Sequence, residues 1–264
     1  MALSSQPPPA TRAQLAELAA LHEPAGRRAA GQLLVEGPTL LAEALAAGLR
    51  PVLVAVEERP PAAAAAVAEQ ARAAGAALVS LDARAAARLS DREHAPGLLA
   101  AVPQPRRWDG ALAGSGPALL VALCGLQDPG NVGTLLRSAR AFGATAVLLT
   151  EGSAEAFGPK VVRASAGAAL WLPTAEAELA SLPALAARHA LTLAAAEPPR
   201  AGARAAPWDP PPRCLLLLGH ETRGVPDLPQ AVPARVAHEP QVESLNVAMA
   251  GSILLADWYR KQHA

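Results

Sequence analysis

The run "PALLVALCGL" at residues 117–126 restricts the fold of this chain more than any other stretch. It holds no charge and no apolar–polar alternation. That is the pattern of a strand buried on both faces, as in a parallel sheet covered by helices on either side. Parallel neighbours need long crossovers, usually helical, and the sequence alternates accordingly. Strand patterns "ATAVLLT", "LTLAAAE", "RCLLLLG" and "ARVAHEP" follow, with helical patterns at 134–142, 177–190 and 244–262. The Pro-rich segment 198–212 reads as a surface connection, because the strands on its two sides look like neighbours in one sheet.

Upstream, the same alternation builds a separate unit. A helical stretch at 11–21 precedes the strand "QLLVEG" and the helix "PTLLAEALAAG", whose Pro38 suits a first turn. "PVLVAVEE", "ALVSL" and "GLLAAVP" read as further strands, and 61–75 and 82–91 as helices. The expected organisation is a helical extension with a small α/β domain over residues 1–107, a polar linker at 108–116, and a second α/β domain over 117–264.

A chain of 264 residues buries a substantial core without disulfides or metals. Cys124 and Cys214 sit in or beside apolar runs and read as reduced core thiols. Lys plus Arg equals Asp plus Glu at 23 each, so there is no global basic field and any polyanion must meet a local patch. No stretch reads as a signal peptide or a membrane span, so the expectation is a cytoplasmic protein with no membrane and no metal.

Three stretches lie where ligands bind in α/β sheets, beyond the carboxyl ends of strands. The first is "QDPGNVGTLLRSARAFGA" at 127–144. Here Asn131 can cap a helix, Gly133 permits close backbone approach, and Arg137 and Arg140 face the same way. An N-capped helix with two solvated arginines explains the stretch equally well. The second is "LLLLGHETRGV" at 215–225, where glycines flank Glu221 in a tight loop. A plain surface turn is the bland alternative, and His220 is either a base or a structural histidine. In the third, "VESLNVAMAGSILLADWYR" at 242–260, Ser244 is a good N-cap. The helix that follows is rich in small residues, suited to the core or to a partner helix.

Taken together, these stretches resemble the SpoU (TrmH) family of RNA ribose 2'-O-methyltransferases. The family pattern Asn-x-Gly-x-x-x-Arg is matched by Asn131, Gly133 and Arg137. Gly-x-Glu-x-x-Gly is matched by Gly219, Glu221 and Gly224, and Ser-Leu-Asn-Val by residues 244–247. "PKVVRASAGAALWLP" at 159–173 resembles the family's segment between the first two motifs, with Lys160, Arg163, Ser165 and Gly167 in place. "LLVEGPTLLAEAL" and "PGLLAAVPQP" resemble the ribosomal-protein-like substrate-binding domain of many members. One departure stands out. Members usually carry an Ile-Pro-Met run and a glycine before the third motif, whereas this chain has Val236, Ala237, His238 and Pro240.

The resemblance implies a trefoil-knotted parallel-sheet methyltransferase domain, which pattern reading alone would rule against. It also implies S-adenosylmethionine as cofactor and a homodimer with its active site near the interface. Carried over by residue, Arg137 is the catalytic centre, aided by Asn131, Glu221, Ser244 and Asn246. Gly219, Val236 and Leu245, with Leu218 and Gly224, contact the cofactor. Arg137, Arg140, Arg163 and Lys160 meet RNA, with Arg27 and Arg28 contributing from the first domain. An arginine stays protonated in water, so Arg137 either manages the hydroxyl proton in an unusual state or orients the hydroxyl and stabilises charge. The two-domain layout favours 23S ribosomal RNA over tRNA. A tRNA 2'-O-methyltransferase and a non-catalytic RNA-binding protein of the same fold are the alternatives. No Gly-x-Gly-x-x-Gly follows a strand, which sets aside an NAD enzyme.

Overall fold

The computed structural model describes residues 3, 6–90, 96–198, 206, 208–220, 224–225, 228–239 and 241–264. In chain order the elements are α1 (Arg12–Ala20), α2 (Pro24–Ala30), β1 (Gln32–Glu36), α3 (Pro38–Ala46), β2 (Leu53–Glu57), α4 (Ala62–Ala73), β3 (Ala77–Leu81), α5 (Ala83–Leu89) and β4 (Leu98–Pro103). They continue as β5 (Ala118–Cys124), α6 (Pro129–Ala141), β6 (Ala146–Leu149), α7 (Pro159–Ala164), β7 (Thr174–Glu176), α8 (Leu182–Arg188), β8 (Thr192–Ala196), β9 (Arg213–Gly219), β10 (Val232–Ala234) and α9 (Val247–Gln262).

These form two compact units: Met1–Pro105 with Phe157–Leu170, and Arg106–Ala156 with Trp171–Ala264. The first holds a four-stranded sheet in the order β1-β4-β2-β3, in which only β2 and β3 run parallel. Leu18 and Leu21 from the N-terminal helical stretch pack into its core with Leu34, Val79 and Leu99. Thr11 and Gln14 close a reciprocal capping box at the start of α1, satisfying two backbone donors. Helix α2 is absent from the sequence expectation, although Pro24 at its start and Gly31 in the left-handed region at its end (φ 62°) are ordinary boundary signals. Arg27, expected to meet RNA, is 4% exposed and donates to the carbonyls of Leu21 and His22, so it holds the α1–α2 turn together.

The second unit holds a six-stranded sheet in the order β10-β8-β9-β5-β6-β7, with every pairing parallel. All seven residues of β5 are buried, as its unbroken apolar run requires. Strands β8 and β9, on the two sides of the Pro-rich segment, are neighbours. The chain moves outward from β5 through β6 to β7, then crosses to the other side, where β8 forms first and β9 fills the place between β8 and β5. The strand order therefore reverses between β5 and β9, and crevices at carboxyl ends form at such reversals.

Of the boundaries that differ from expectation, three lie near the strand ends that carry the motifs. Helix α6 starts at Pro129, and its N-cap is Asp128, whose carboxylate accepts from the Asn131 backbone N–H at 2.7 Å. Asn131 therefore lies in the first turn. Asp128 wins because Pro129, with its preset φ, is at home in a first turn. Helix α9 is capped by Asn246 instead of Ser244. The Asn246 side chain accepts from Ala248 N and Met249 N. Strand β10 is three residues centred on Pro233, earlier than the expected 234–240, because its register is set by pairing with Ala194–Ala196 on β8. Pro233 is tolerated there because β10 is an edge strand.

Candidate active site

A cavity of about 420 Å³ opens at the carboxyl ends of β8, β9 and β10. Strand ends supply Ala196, Gly219 and Ala234, the following loops supply His220, Val236, His238, Ser244 and Leu245, and α9 supplies Ala250 and Leu254. The volume lies within the usual range of about 300–1,000 Å³ for small-molecule sites. Of the residues expected to hold a cofactor, Gly219, Gly224, Val236 and Leu245 line this cavity together. Leu218 does not; it is fully buried against α9.

The turn after β9 explains its glycines. His220 N donates to Gly224 O at 3.1 Å and Gly224 N donates back to His220 O at 2.7 Å, closing the loop. A Cβ at residue 219 would sit 2.2 Å from the carbonyl carbon of Gly224 and from Val225 N, which no side chain tolerates. Gly224 itself has φ 67°, in the left-handed region that glycine adopts without strain. Glu221, between these glycines, lies outside the described residues.

Helices α6 and α9 pack side by side, which joins the first and third stretches. Asn246 Nδ2 donates to Asn131 Oδ1 at 3.2 Å, across 115 positions of sequence. Further along, the Ser138 and Ser252 hydroxyls meet at 2.7 Å. A Cβ at Gly251 would come within 2.5 Å of Leu135 and 2.8 Å of Leu218, so the glycine sets how closely the helices approach. The small-residue face of α9 is thus used inside the chain. Its outer face carries Met249 and Ile253, 59% and 41% exposed.

The expected arginines have different surroundings. Arg137 is exposed on α6 and is not among the residues lining the cavity. Arg140 is exposed one turn later, with its guanidinium 4.4 Å from the centre of the Trp171 ring. Lys160 is exposed on α7. Arg163, on the same short helix, forms an ion pair with Glu36 of β1, a side chain only 1% exposed that also accepts from Ser90 Oγ at 2.8 Å. Ser165 is fully buried and bonds within its own turn, to Val162 O at 2.9 Å. Gly167 (φ 83°) lies against Glu43 and Leu40.

Sequence reasoning gave Glu197, His238, Ala250 and Leu254 no place in the site. Glu197 was findable, since it directly follows a strand. The other three depend on how the 235–246 segment and α9 fold back. Glu197 pairs with Arg235 at 2.8 Å. A second cavity of about 580 Å³ adjoins at the ends of β5 and β6, sharing His220 and Gly224 and reaching Cys124 and Glu151. Burial pushes the thiols of Cys124 and Cys214 up to about 12, so both stay protonated and unreactive near neutral pH. Among the described residues no cluster of His, Cys, Asp or Glu could hold a metal ion, and no helix is long and apolar enough to cross a membrane.

Residues 118–256 match the SpoU rRNA methylase family, and residues 13–100 match the MRM3-like substrate binding domain. An uncharacterized tRNA/rRNA methyltransferase of Synechocystis sp. is 33% identical over 260 residues, covering 94% of this chain and 91% of that protein. The 23S rRNA (guanosine-2'-O-)-methyltransferase RlmB of Xylella fastidiosa is 36% identical over 155 residues, covering 57% of this chain and 61% of its own length. The crystal structure of an RNA 2'-O ribose methyltransferase superposes with a TM-score of 0.79 at 30% identity, covering 98% of this chain and 99% of that one. With residues of the second and third motifs lining one strand-end cavity and the family matched over more than half its length, the chain belongs to the SpoU rRNA methylase family.

Proposed function

We propose that the chain methylates a ribose 2'-hydroxyl of ribosomal RNA, with 23S RNA as the target, using S-adenosylmethionine. One observation carries this reading: the second and third motifs converge on a single cavity while Asn246, beside that cavity, bonds to Asn131 of the first motif. The cavity fits the cofactor. Its lining is mostly apolar, as the uncharged adenosine part of the cofactor requires.

Bound S-adenosylmethionine supplies an electrophilic methyl group to the ribose oxygen. Gly219, Gly224, Val236 and Leu245 hold it, mainly through backbone groups. The Asn131–Asn246 pair fixes the starts of α6 and α9, and Ser244 supports the loop between cavity and helix. Arg137, the ninth residue of α6 and on its exposed face, orients the ribose hydroxyl and offsets phosphate charge with its planar fork. Glu221 positions partners around it. Arg140 and Lys160 add cationic contacts whose benefit weakens as salt rises.

The test is transfer of labelled methyl to ribosomal RNA and tRNA from a strain lacking the gene, with 2'-O-methyl positions mapped afterwards. Label in large-subunit RNA is expected. Label confined to tRNA removes the substrate assignment, and none in any RNA removes the enzymatic one. The trefoil threading implied by the family belongs to the same reading, and tracing residues 219–246 in an electron-density map tests it.

We further propose a homodimer closed over the outer face of α9, which brings exposed α6 side chains near a second copy. Met249→Glu with Ile253→Glu puts two charges in that seam. Sedimentation is expected to give a dimer for the unaltered chain and a folded monomer for the variant. A monomeric unaltered chain at micromolar concentration ends the proposal.

A further inference from the structure

Trp171 keeps 39% of its surface open to solvent, and the guanidinium of Arg140 lies 4.4 Å from the centre of its ring. Single apolar side chains on a surface are ordinary; an indole fixed beside two exposed arginines is a more particular arrangement. The next two residues hold it in place. Leu172 is 4% exposed, and the carbonyl of Pro173 accepts from the Val147 N–H at 3.0 Å as the chain enters β7. Its side of α6 is equally defined. That helix gives Leu135, Ser138 and Phe142 to α9, where they meet Gly251, Ser252 and Tyr259. At about 3.6 residues per turn, Arg140 points nearly opposite to that seam, and Arg137 lies between the two on the open face. The indole therefore stands on the flank of α6 away from α9, the helix whose outer face carries the proposed dimer seam.

We propose that Trp171 is a stacking platform for an unpaired RNA base that flanks the methylated nucleotide. The inference rests on reading the chain as an RNA methyltransferase with Arg137 at the ribose. Charge and shape both favour that occupant. The chain has no net charge, so a polyanion must meet a local group of cations, and Arg137 and Arg140 supply one on the exposed side of α6. Every nucleobase offers a π-face to an aromatic ring. Bases within a helix are already stacked, so the partner is a base in a loop, bulge or end. Arg137 and Arg140 are three residues apart, about 4.5 Å along the helix axis, so a strand whose ribose sits at Arg137 passes the ring with a neighbouring nucleotide. Ordering the platform costs little, because an indole has only two side-chain torsions to fix.

The experiment is steady-state methyl transfer by the full chain to the RNA that accepts label, ribosomal RNA or tRNA from a strain lacking the gene. Cofactor binding and urea unfolding are measured alongside. Trp171→Leu keeps apolar bulk and removes the π-face. It is expected to raise KM for RNA about 5- to 100-fold, the worth of one stacked base, with kcat and cofactor affinity near those of the unaltered chain. Trp171→Phe, which restores a π-face, is expected to recover most of the loss in KM. RNA is expected to quench the tryptophan fluorescence of the unaltered chain more than that of Trp171→Phe. A ring that serves only as a surface stack for Arg140 would lower stability on replacement and leave KM where it was. That result, or equal quenching in the two proteins, overturns the platform and leaves the methyltransferase reading intact. An unaltered chain that transfers methyl to no RNA overturns that reading and, with it, the role of Trp171.

Discussion

Helices α6 and α7 begin alike and end differently. Each has a proline in its first turn after an extended N-cap residue, and each carries arginine beyond its first turn. On α6, Arg137 projects to solvent. On α7, Arg163 runs into a carboxylate, Glu36, that comes from 127 positions earlier and is almost wholly buried. Local sequence treats the two arginines as equivalent. What separates them is whether a distant strand presents a buried negative charge, since an unpaired buried carboxylate is costly and captures any guanidinium within reach. One arginine is therefore available to a substrate, and the other holds its helix to β1.

Arg137→Ala breaks this comparison on the catalytic side and has the largest expected effect. Turnover should fall on the order of 10²- to 10³-fold, the range for loss of a donor that stabilises charge in the transition state, while folding is unchanged. Arg137→Lys should be nearly as damaging, because lysine keeps the charge and loses the fork. Single-turnover methyl transfer at saturating RNA measures both. Turnover close to that of the unaltered chain would show that Arg137 is a solvated helix residue.

Arg163→Ala probes the other side. Leaving Glu36 buried without its partner should cost about 3 kcal/mol of stability, read by urea unfolding, with RNA affinity of the folded protein little changed. Combining Arg163→Met with Glu36→Leu should recover most of that loss, since both charges then leave together. A fully stable Arg163→Ala variant with weakened RNA binding would return Arg163 to the substrate surface.

Arg140→Ala sharpens the comparison at its smallest scale. Removing the cation over Trp171 should cost about 0.5–1 kcal/mol of stability. A drop in the salt dependence of RNA binding would add Arg140 to the substrate contacts; an unchanged slope would leave it as a surface stack.

Much of the architecture is legible in residue order because its cause is local. The unbroken apolar runs of β5 and β9 can be satisfied only by burial on both faces, and that calls for a parallel sheet. The misplaced boundaries have local competitors of nearly equal strength. Asp128 and Asn131 both suit an N-cap, as do Ser244 and Asn246, and the choice turned on Pro129 in one case and on the reach of the Asn246 side chain in the other. The short elements α2, α7 and β7 carry too few residues for a period to show.

By itself, then, the sequence determined the parallel sheet, the tight glycine turn after β9 and the three motifs that mark the family. Those follow from burial, backbone sterics and residue type, each acting over a few neighbouring positions. Only the tertiary structure decided that Asn131 meets Asn246, that Gly251 sets the spacing of α6 and α9, that Arg163 is captured by Glu36, and that His238 borders the cavity. Each of those depends on groups far apart in sequence arriving within a few ångströms of one another. Hydrogen bonds and ion pairs act only at that range, so their partners are settled when the elements pack and not before.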